Sequence, residues 1–328
     1  MKMKDVFRLK VLVIGLCATL LLAACGSSGE DPAQVIKKFK QQSTDIHSGT
    51  MTFDVDVSGA DGEDKVDFSS QMDVRFNRLD ENLKKSDVNV ALNGNLSVGG
   101  QALDGTLDFN FRNLAEDYYL QLNKLESSDP SITSAQPLIS QYLGQWLHIA
   151  KDFIPADIRK IQEKDEATLA KEEELKKLFV DTDIFVVVDD MGEDSISGKK
   201  SHHYRLELSE AGVKDYIAKV AQIDERPLTD AEIDEAARIV SYFESIDFWI
   251  GSKDYYLYKA SAVLDGKALN PDAGDMTITV DFTGADYNED ISVEVPADSR
   301  EFNPVEILMG LSQIAPPEGE AAMTEGGE

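Results

Sequence analysis

From Thr50 to about Leu122 the chain alternates apolar and polar residues with a period of two, the mark of strands with one buried face. "MTFDVDV" sets Met51, Phe53, Val55 and Val57 against polar partners, and "KVDFSSQMDVRF" does the same with Val66, Phe68, Met72, Val74 and Phe76. The stretch "DVNVALNGNLSVGGQALDGTLDFNF" offers two hairpin turns, Asn93-Gly94 and Gly99-Gly100. A two-residue turn at the first puts Leu92 opposite Asn95 and Val90 opposite Ser97, mixing apolar with polar. A turn at Gly99-Gly100 pairs Leu96 with Leu103, Leu92 with Leu107, Val90 with Phe109 and Val88 with Phe111, and sets Gly94 against Gly105. A one-residue slip turns every side chain to the other face, so the second register is expected. The facing glycines should leave a notch or mark a bend. A four-residue loop "NLAE" then sets Phe111 against Tyr118, Phe109 against Leu120 and Leu107 against Leu122, giving a five-strand meander.

The apolar face of such a meander needs a cover, and the remaining periodicities supply helices. "DPAQVIKKFKQQ" has Asp31 as a cap, Pro32 at the first helical position, and Val35, Ile36 and Phe39 on one side. Residues 131–143 form a helix leading to a short strand "QWLHI", and residues 156–178 a highly charged, solvent-facing helix. Strands "DIFVVVDD" and "SHHYRLELS" flank a turn around "SISGKK". Two helices follow, "SEAGVKDYIAKVA", with Val213, Tyr216, Ile217 and Val220 on one side, and "TDAEIDEAARIVSYF". The second has Thr229 and Glu232 in capping-box spacing and Ile233, Ala236, Ala237, Val240 and Phe243 inward. "IDFWI", "YYLYKASAVL", "DMTITVDF" and "ISVEV" read as four closing strands, before a helix near 304–314. Residues 32–315 read as one α+β domain, a large curved antiparallel sheet with helices on its concave face. The tail 316–328 reads as disordered.

The first thirty residues have a different pattern. A basic head precedes an unbroken apolar run from Val11 to Ala24, too short to span a bilayer comfortably, which takes about 20 residues. This is a secretory signal peptide over residues 1–24. It ends on Leu22, Ala23, Ala24 and Cys25, which resembles the lipobox of bacterial lipoproteins, whose cysteine is diacylated and becomes the first residue. Residues 25–31 are then the lipidated N-terminus and its polar tether. Cys17 leaves with the signal, so the exported chain keeps Cys25 alone and makes no internal disulfide.

Composition narrows the partners. Residues 1–24 carry four positive charges and one negative; without them the chain has 28 Lys+Arg against 60 Asp+Glu, a net charge of −32. Such acidity repels nucleic-acid phosphates and anionic headgroups, so neither nucleic acid nor a basic lipid-docking patch is expected. No G-x-S-x-G, H-E-x-x-H or Gly-rich phosphate loop occurs. Carboxylates are too numerous for any pair to point to a glycosidase, so no enzyme is expected. His202 and His203 are adjacent on a strand and point to opposite sides, and the acidic stretch 58–67 lacks EF-hand spacing. No metal or cofactor is expected.

Several phrases are similar to one family. "YLGQWLHI", "ISGKKSHHYRLEL", "DFWIGSKDYYLYK" and "VDFTGADYNEDISVEVPAD", in this order of elements, resemble the LolA/LppX-like lipoprotein superfamily. The resemblance implies a half-barrel around an apolar cavity plugged by helices, holding acyl chains. Val90, Leu92, Leu107, Phe109, Phe111, Tyr118 and Leu120 are then candidate lining residues, with Trp146 at the rim. The function so implied is a non-catalytic lipoprotein, anchored through diacylglyceryl-Cys25 outside the cytoplasm, that binds or shuttles lipid. The alternative is an envelope lipoprotein that uses the fold to hold a protein partner or sense the cell wall. Gly26 lacks the aspartate that retains some lipoproteins at an inner membrane, so the outer membrane is expected where the host has one.

Overall fold

The computed structural model describes residues 30–61, 64–78, 84–98, 101–114, 117–150, 166–269 and 275–302. The expected signal peptide and lipobox with Cys25, the first ten residues of the expected charged helix, the helix expected near 304–314 and the tail lie outside them.

Twelve strands form a single sheet. In chain order they are β1 (Ser48–Asp61), β2 (Asp64–Arg78), β3 (Lys84–Val98), β4 (Gln101–Leu114), β5 (Asp117–Ser127), β6 (Trp146–Ile149), β7 (Phe185–Ile196), β8 (Lys199–Leu208), β9 (Phe243–Gly251), β10 (Leu257–Asp265), β11 (Asp275–Ala285) and β12 (Ser299–Glu301). Their order across the sheet is β12-β6-β5-β4-β3-β2-β1-β11-β10-β9-β8-β7. Every pairing is antiparallel except β12 with β6. The two sets of strands meet where β1 pairs with β11, and the edges β7 and β12 do not join, so the barrel is left open.

The register of β3 against β4 follows the Gly99-Gly100 reading, with Val88, Val90, Leu92, Gly94 and Leu96 opposite Phe111, Phe109, Leu107, Gly105 and Leu103. The β4–β5 register does not follow the expected loop. Phe111 faces Leu120 and Phe109 faces Leu122, while Tyr118 faces Asn113. β4 runs two residues further before turning, pairing Leu114 with Asp117. The ladder also shifts between Asp108 and Phe109, where Asn123 is the extra residue on β5 and donates to the Asp108 carboxylate at 2.8 Å. A slip of two keeps the same side chains on the same face.

"ISVEV" is not a strand. Asp286 and Asn288 both adopt left-handed backbone (φ 52° and 59°) and turn the chain off β11. Residues 286–298 then run as a belt across the strand ends. Ser48 Oγ donates to the Glu289 carbonyl at 2.6 Å, Asn77 Nδ2 to Ile291 at 2.8 Å and Arg112 Nη1 to Glu294 at 2.9 Å. Val293 packs with Leu114 and Tyr119, and the belt ends in β12.

Six helices are described, α1 (Pro32–Gln42), α2 (Pro130–Ile139), α3 (Glu166–Asp181), α4 (Glu210–Ile223), α5 (Asp230–Ala237) and the short α6 (Gly266–Leu269). Asp31 caps α1 ahead of Pro32, and Thr229 and Glu232 close the capping box of α5. After Ala237 the chain tightens into a 3₁₀ turn, Arg238–Tyr242, which carries Ile239 inward. Ser197 and Gly198, both with positive φ (50° and 78°), make the two-residue turn between β7 and β8; such a turn matches strand twist.

The main core lies between these helices and the second strand set. Val35, Ile36 and Phe39 of α1 and Val213 and Ile217 of α4 pack on Tyr204, Leu206, Ile246, Phe248 and Leu257. Phe248 sits between Phe39 and Phe185, with ring centroids 5.7 and 5.4 Å away, both edge-on. Full burial of such a ring contributes about 1.5–3 kcal/mol. The cover is uneven: among the described residues, none on β2 or β3 is fully buried.

Candidate functional site

Three ladder rows run in register across the inner face. One links Ile246, Ala262, Val280, Val55, Ser70, Leu92, Leu107 and Leu125. The next links Phe248, Ala260, Phe282, Phe53, Met72, Val90, Phe109 and Leu122. The third links Met51, Val74, Val88, Phe111, Leu120 and Leu147. The polar interruption in these rows is Ser70. Each residue from β2 to β5 in the three rows is half-buried, so the meander offers a wide apolar surface that continues from the packed core.

The structure brings seven of the eight candidate lining residues together on this surface. Val90, Leu92, Leu107, Phe109, Phe111 and Leu120 are half-buried neighbours; Tyr118 is buried beside them, its ring centroid 6.1 Å from that of Phe111. Trp146 is on the other face. It pairs with Gln121, and its ring lies under the Arg112 guanidinium at 4.7 Å, against Leu114, Tyr119 and Val293. The notch expected at the facing glycines is narrowed by Phe68, whose Cδ2 lies 3.3 Å from where a Cβ on Gly94 would stand.

The opposite face is polar and bonded to itself. Asn89 donates to Asn110 at 3.0 Å, Asn110 to Gln121 at 2.9 Å, and Gln121 to the Gly144 carbonyl at 2.8 Å. Burial raises the Asp54 carboxyl above the usual range, with Asp73, Asp281 and Asp56 adding repulsion. His203 stacks on Trp249 at 4.1 Å and bonds Asp247, which also holds Arg205. His202 faces inward and is buried, so the two histidines part as the strand dictates. On the same outer face, His148 lies between two carboxylates. Its Nδ1 is 2.7 Å from Glu301 and its Nε2 3.0 Å from Asp117, and these bonds raise its pKa, the Glu301 bond most, against a smaller opposing effect of burial.

One feature escaped sequence reasoning. A cavity of about 60 Å³, lined by Phe53, Phe185, Leu208, Phe243, Ile246, Phe248, Leu257, Ala260, Ser261, Ala262, Val280 and Phe282, lies under the second strand set. It is apolar and has room for a few water-sized groups rather than a long chain. Its walls share Ile246, Ala262, Val280, Phe248, Ala260, Phe282 and Phe53 with the rows above. The signal was the small-residue run "KASAV", which thins β10, but the strands that meet there are far apart in sequence.

Among the described residues no group of three or more His, Cys, Asp or Glu is placed to hold a metal ion. No described helix is long and apolar enough to cross a membrane.

Among solved structures, the chain is similar to the lipoprotein LppX of Mycobacterium tuberculosis. Identity is 13%, over 81% of this chain and all (100%) of that one, with a TM-score of 0.28. A DUF1329 family protein from Desulfovibrio piger matches at 8% identity over 81% of this chain and 96% of that one, TM-score 0.22. An outer membrane lipoprotein-sorting protein domain from Vibrio parahaemolyticus matches at 9% identity over 79% and 93%, TM-score 0.20. Likenesses at this level bear on neither ligand nor activity. No family model and no curated protein matches the chain.

Proposed function

We propose that the protein is an envelope lipoprotein, tethered outside the cytoplasm through diacylated Cys25, that holds acyl chains of lipid against the meander face. The observation that carries this reading is the trio of apolar rows, half-buried from β2 to β5 and continuous with the core. Contiguous apolar surface of this breadth is rare on a monomer unless something binds there. An acyl chain suits it, gaining about 0.8 kcal/mol per buried CH₂. The lipobox supports the address, since two acyl chains hold a protein stably where one does not.

The test uses the exported chain with Cys25→Ser, purified without detergent. A fluorescent fatty-acyl probe should bind with saturation, and Leu107→Glu on the open face should weaken it at least tenfold while the fold is retained. A probe that fails to bind the parent chain sinks the reading.

A second reading has an observation of its own. Val186, Val188 and Met191, each about half exposed (46–48%), lie on the free edge strand β7. Exposed apolar edges invite another chain, which suits an envelope lipoprotein holding a protein partner. Val188→Lys should abolish such a complex and leave acyl-probe binding unchanged.

A further inference from the structure

All strand ends near the entry of α1 lie on one rim of the half-barrel. This lower rim comprises the start of β1, the end of β2, the β9–β10 loop and the belt of residues 286–298. The opposite, upper rim carries the end of β1 and the start of β2, where Ala60 pairs with Lys65 and Asp275.

The N-terminal tether leaves the domain at the lower rim and is held there. Glu30, the first described residue, accepts hydrogen bonds from Lys38 of α1 and from the hydroxyl of Tyr255 in the β9–β10 loop. Lys38 also reaches Tyr255 OH at 3.3 Å and lies over its ring at 5.1 Å. The two donors hold the Glu30 carboxyl below its ordinary pKa. Tyr255 is fully buried and cannot swing away, and Val35, one turn into α1, is fully buried too and fixes the start of the helix that carries Lys38.

Covalent length then limits where the bilayer can be. Cys25 is five residues from Glu30, at most about 17 Å of extended chain. Strands β1 to β4 are 14 or 15 residues long, which at about 3.3 Å per residue spans roughly 46 Å between the rims. The tether is therefore far too short for the domain to stand on its upper rim, and it keeps the lower rim within about 17 Å of the membrane that holds the anchor.

We infer that the lower rim is a membrane-facing surface, pressed to a lipid headgroup layer, so that the strands stand end-on to the bilayer, the apolar rows run parallel to it and the upper rim is turned away. This rests on the anchoring of Cys25 in the proposed function. The lower rim carries Lys253 in the β9–β10 loop, and Val295 on the belt, an exposed apolar side chain (60%).

Because the exported chain has no cysteine besides the acylated one, single labels can be added cleanly. Lys253→Cys and Val295→Cys report the lower rim, Ala60→Cys and Lys65→Cys the upper, all at exposed positions. Each acylated, bimane-labelled protein is reconstituted in phosphatidylcholine vesicles containing headgroup-region doxyl lipid. Quenching several-fold stronger at the lower rim than at the upper is expected, and a long Gly-Ser linker inserted between Gly29 and Glu30 should erase the difference. Equal quenching at both rims without the linker, or stronger quenching at the upper rim, overturns the orientation. Intact mass of the detergent-extracted chain is read first. A chain without acyl groups overturns the anchoring on which the orientation rests, whereas an acylated chain with no rim difference overturns the orientation alone.

Discussion

Replacing Phe109 by alanine separates an open apolar face from a filled core. Phe109 is half-buried between Val90 and Leu122, while Phe248 is 1% exposed and gripped by Phe39 and Phe185. Burying a phenylalanine fully is worth about 1.5–3 kcal/mol, so a ring with most but not all of its surface buried contributes about 1–2 kcal/mol. Emptying a closed core position adds a cavity cost and reaches about 3–5 kcal/mol. In urea unfolding of the Cys25→Ser chain, Phe109→Ala should therefore lower stability by about 1–2 kcal/mol and Phe248→Ala by about 3–5 kcal/mol. Acyl-probe affinity should move the other way, falling for Phe109→Ala and staying near the parent value for folded Phe248→Ala. Equal losses of stability at the two positions, with probe binding untouched by Phe109→Ala, would refute the open face.

Three further outcomes follow from local geometry. The bonds of His148 raise its pKa above the usual 6.5, so its bridge to Glu301 and Asp117 stabilises the β12 attachment below about pH 6.5. That stability is lost as pH rises through the raised value. Hydrogen exchange at the Phe302 amide, which donates to the His148 carbonyl at 2.8 Å, should speed up over this window after correction for intrinsic rates, and His148→Gln should remove the step. In Gly212→Ala, the added Cβ would stand 2.1 Å from the Asp183 carbonyl oxygen. Backbone must shift, and a loss of about 3 kcal/mol is expected in urea unfolding, where a neutral result would contradict the packing. Thr229→Ala removes one side of the α5 capping box and should cost about 1 kcal/mol in the same measurement.

The meander was legible because its alternation is regular and two of its four turns, at Gly62-Glu63 and Gly99-Gly100, contain glycine. The β3–β4 register needed only the parity of Leu92, Leu107, Val90 and Phe109 about Gly99-Gly100. The β4–β5 register slipped by two because alternation is blind to even shifts, and the bulge at Asn123 leaves no mark in composition. Parity is lost altogether across a helix, so nothing in "QWLHI" told which face Trp146 would take; its pairing with Gln121 decided it. "ISVEV" alternates as a strand does, but the two left-handed residues before it carry it off the sheet, and side chains of Asn77 and Arg112 take up its carbonyls. One partner of β1 and one of Glu30 lie more than 200 residues away, in β11 and the β9–β10 loop, beyond any local pattern. The site was thus readable as a face, while its closure, its cavity and its tether contacts needed the folded chain.

Whether the apolar rows hold acyl chains decides the function. The sharpest test is mass spectrometry of organic extracts from the Cys25→Ser chain, expressed with its export signal and purified without detergent. Lipid recovered in near-equimolar amount, and depleted by Leu107→Glu, is the predicted result. Protein that yields no lipid, from the parent chain as from the variant, would contradict the acyl-chain reading.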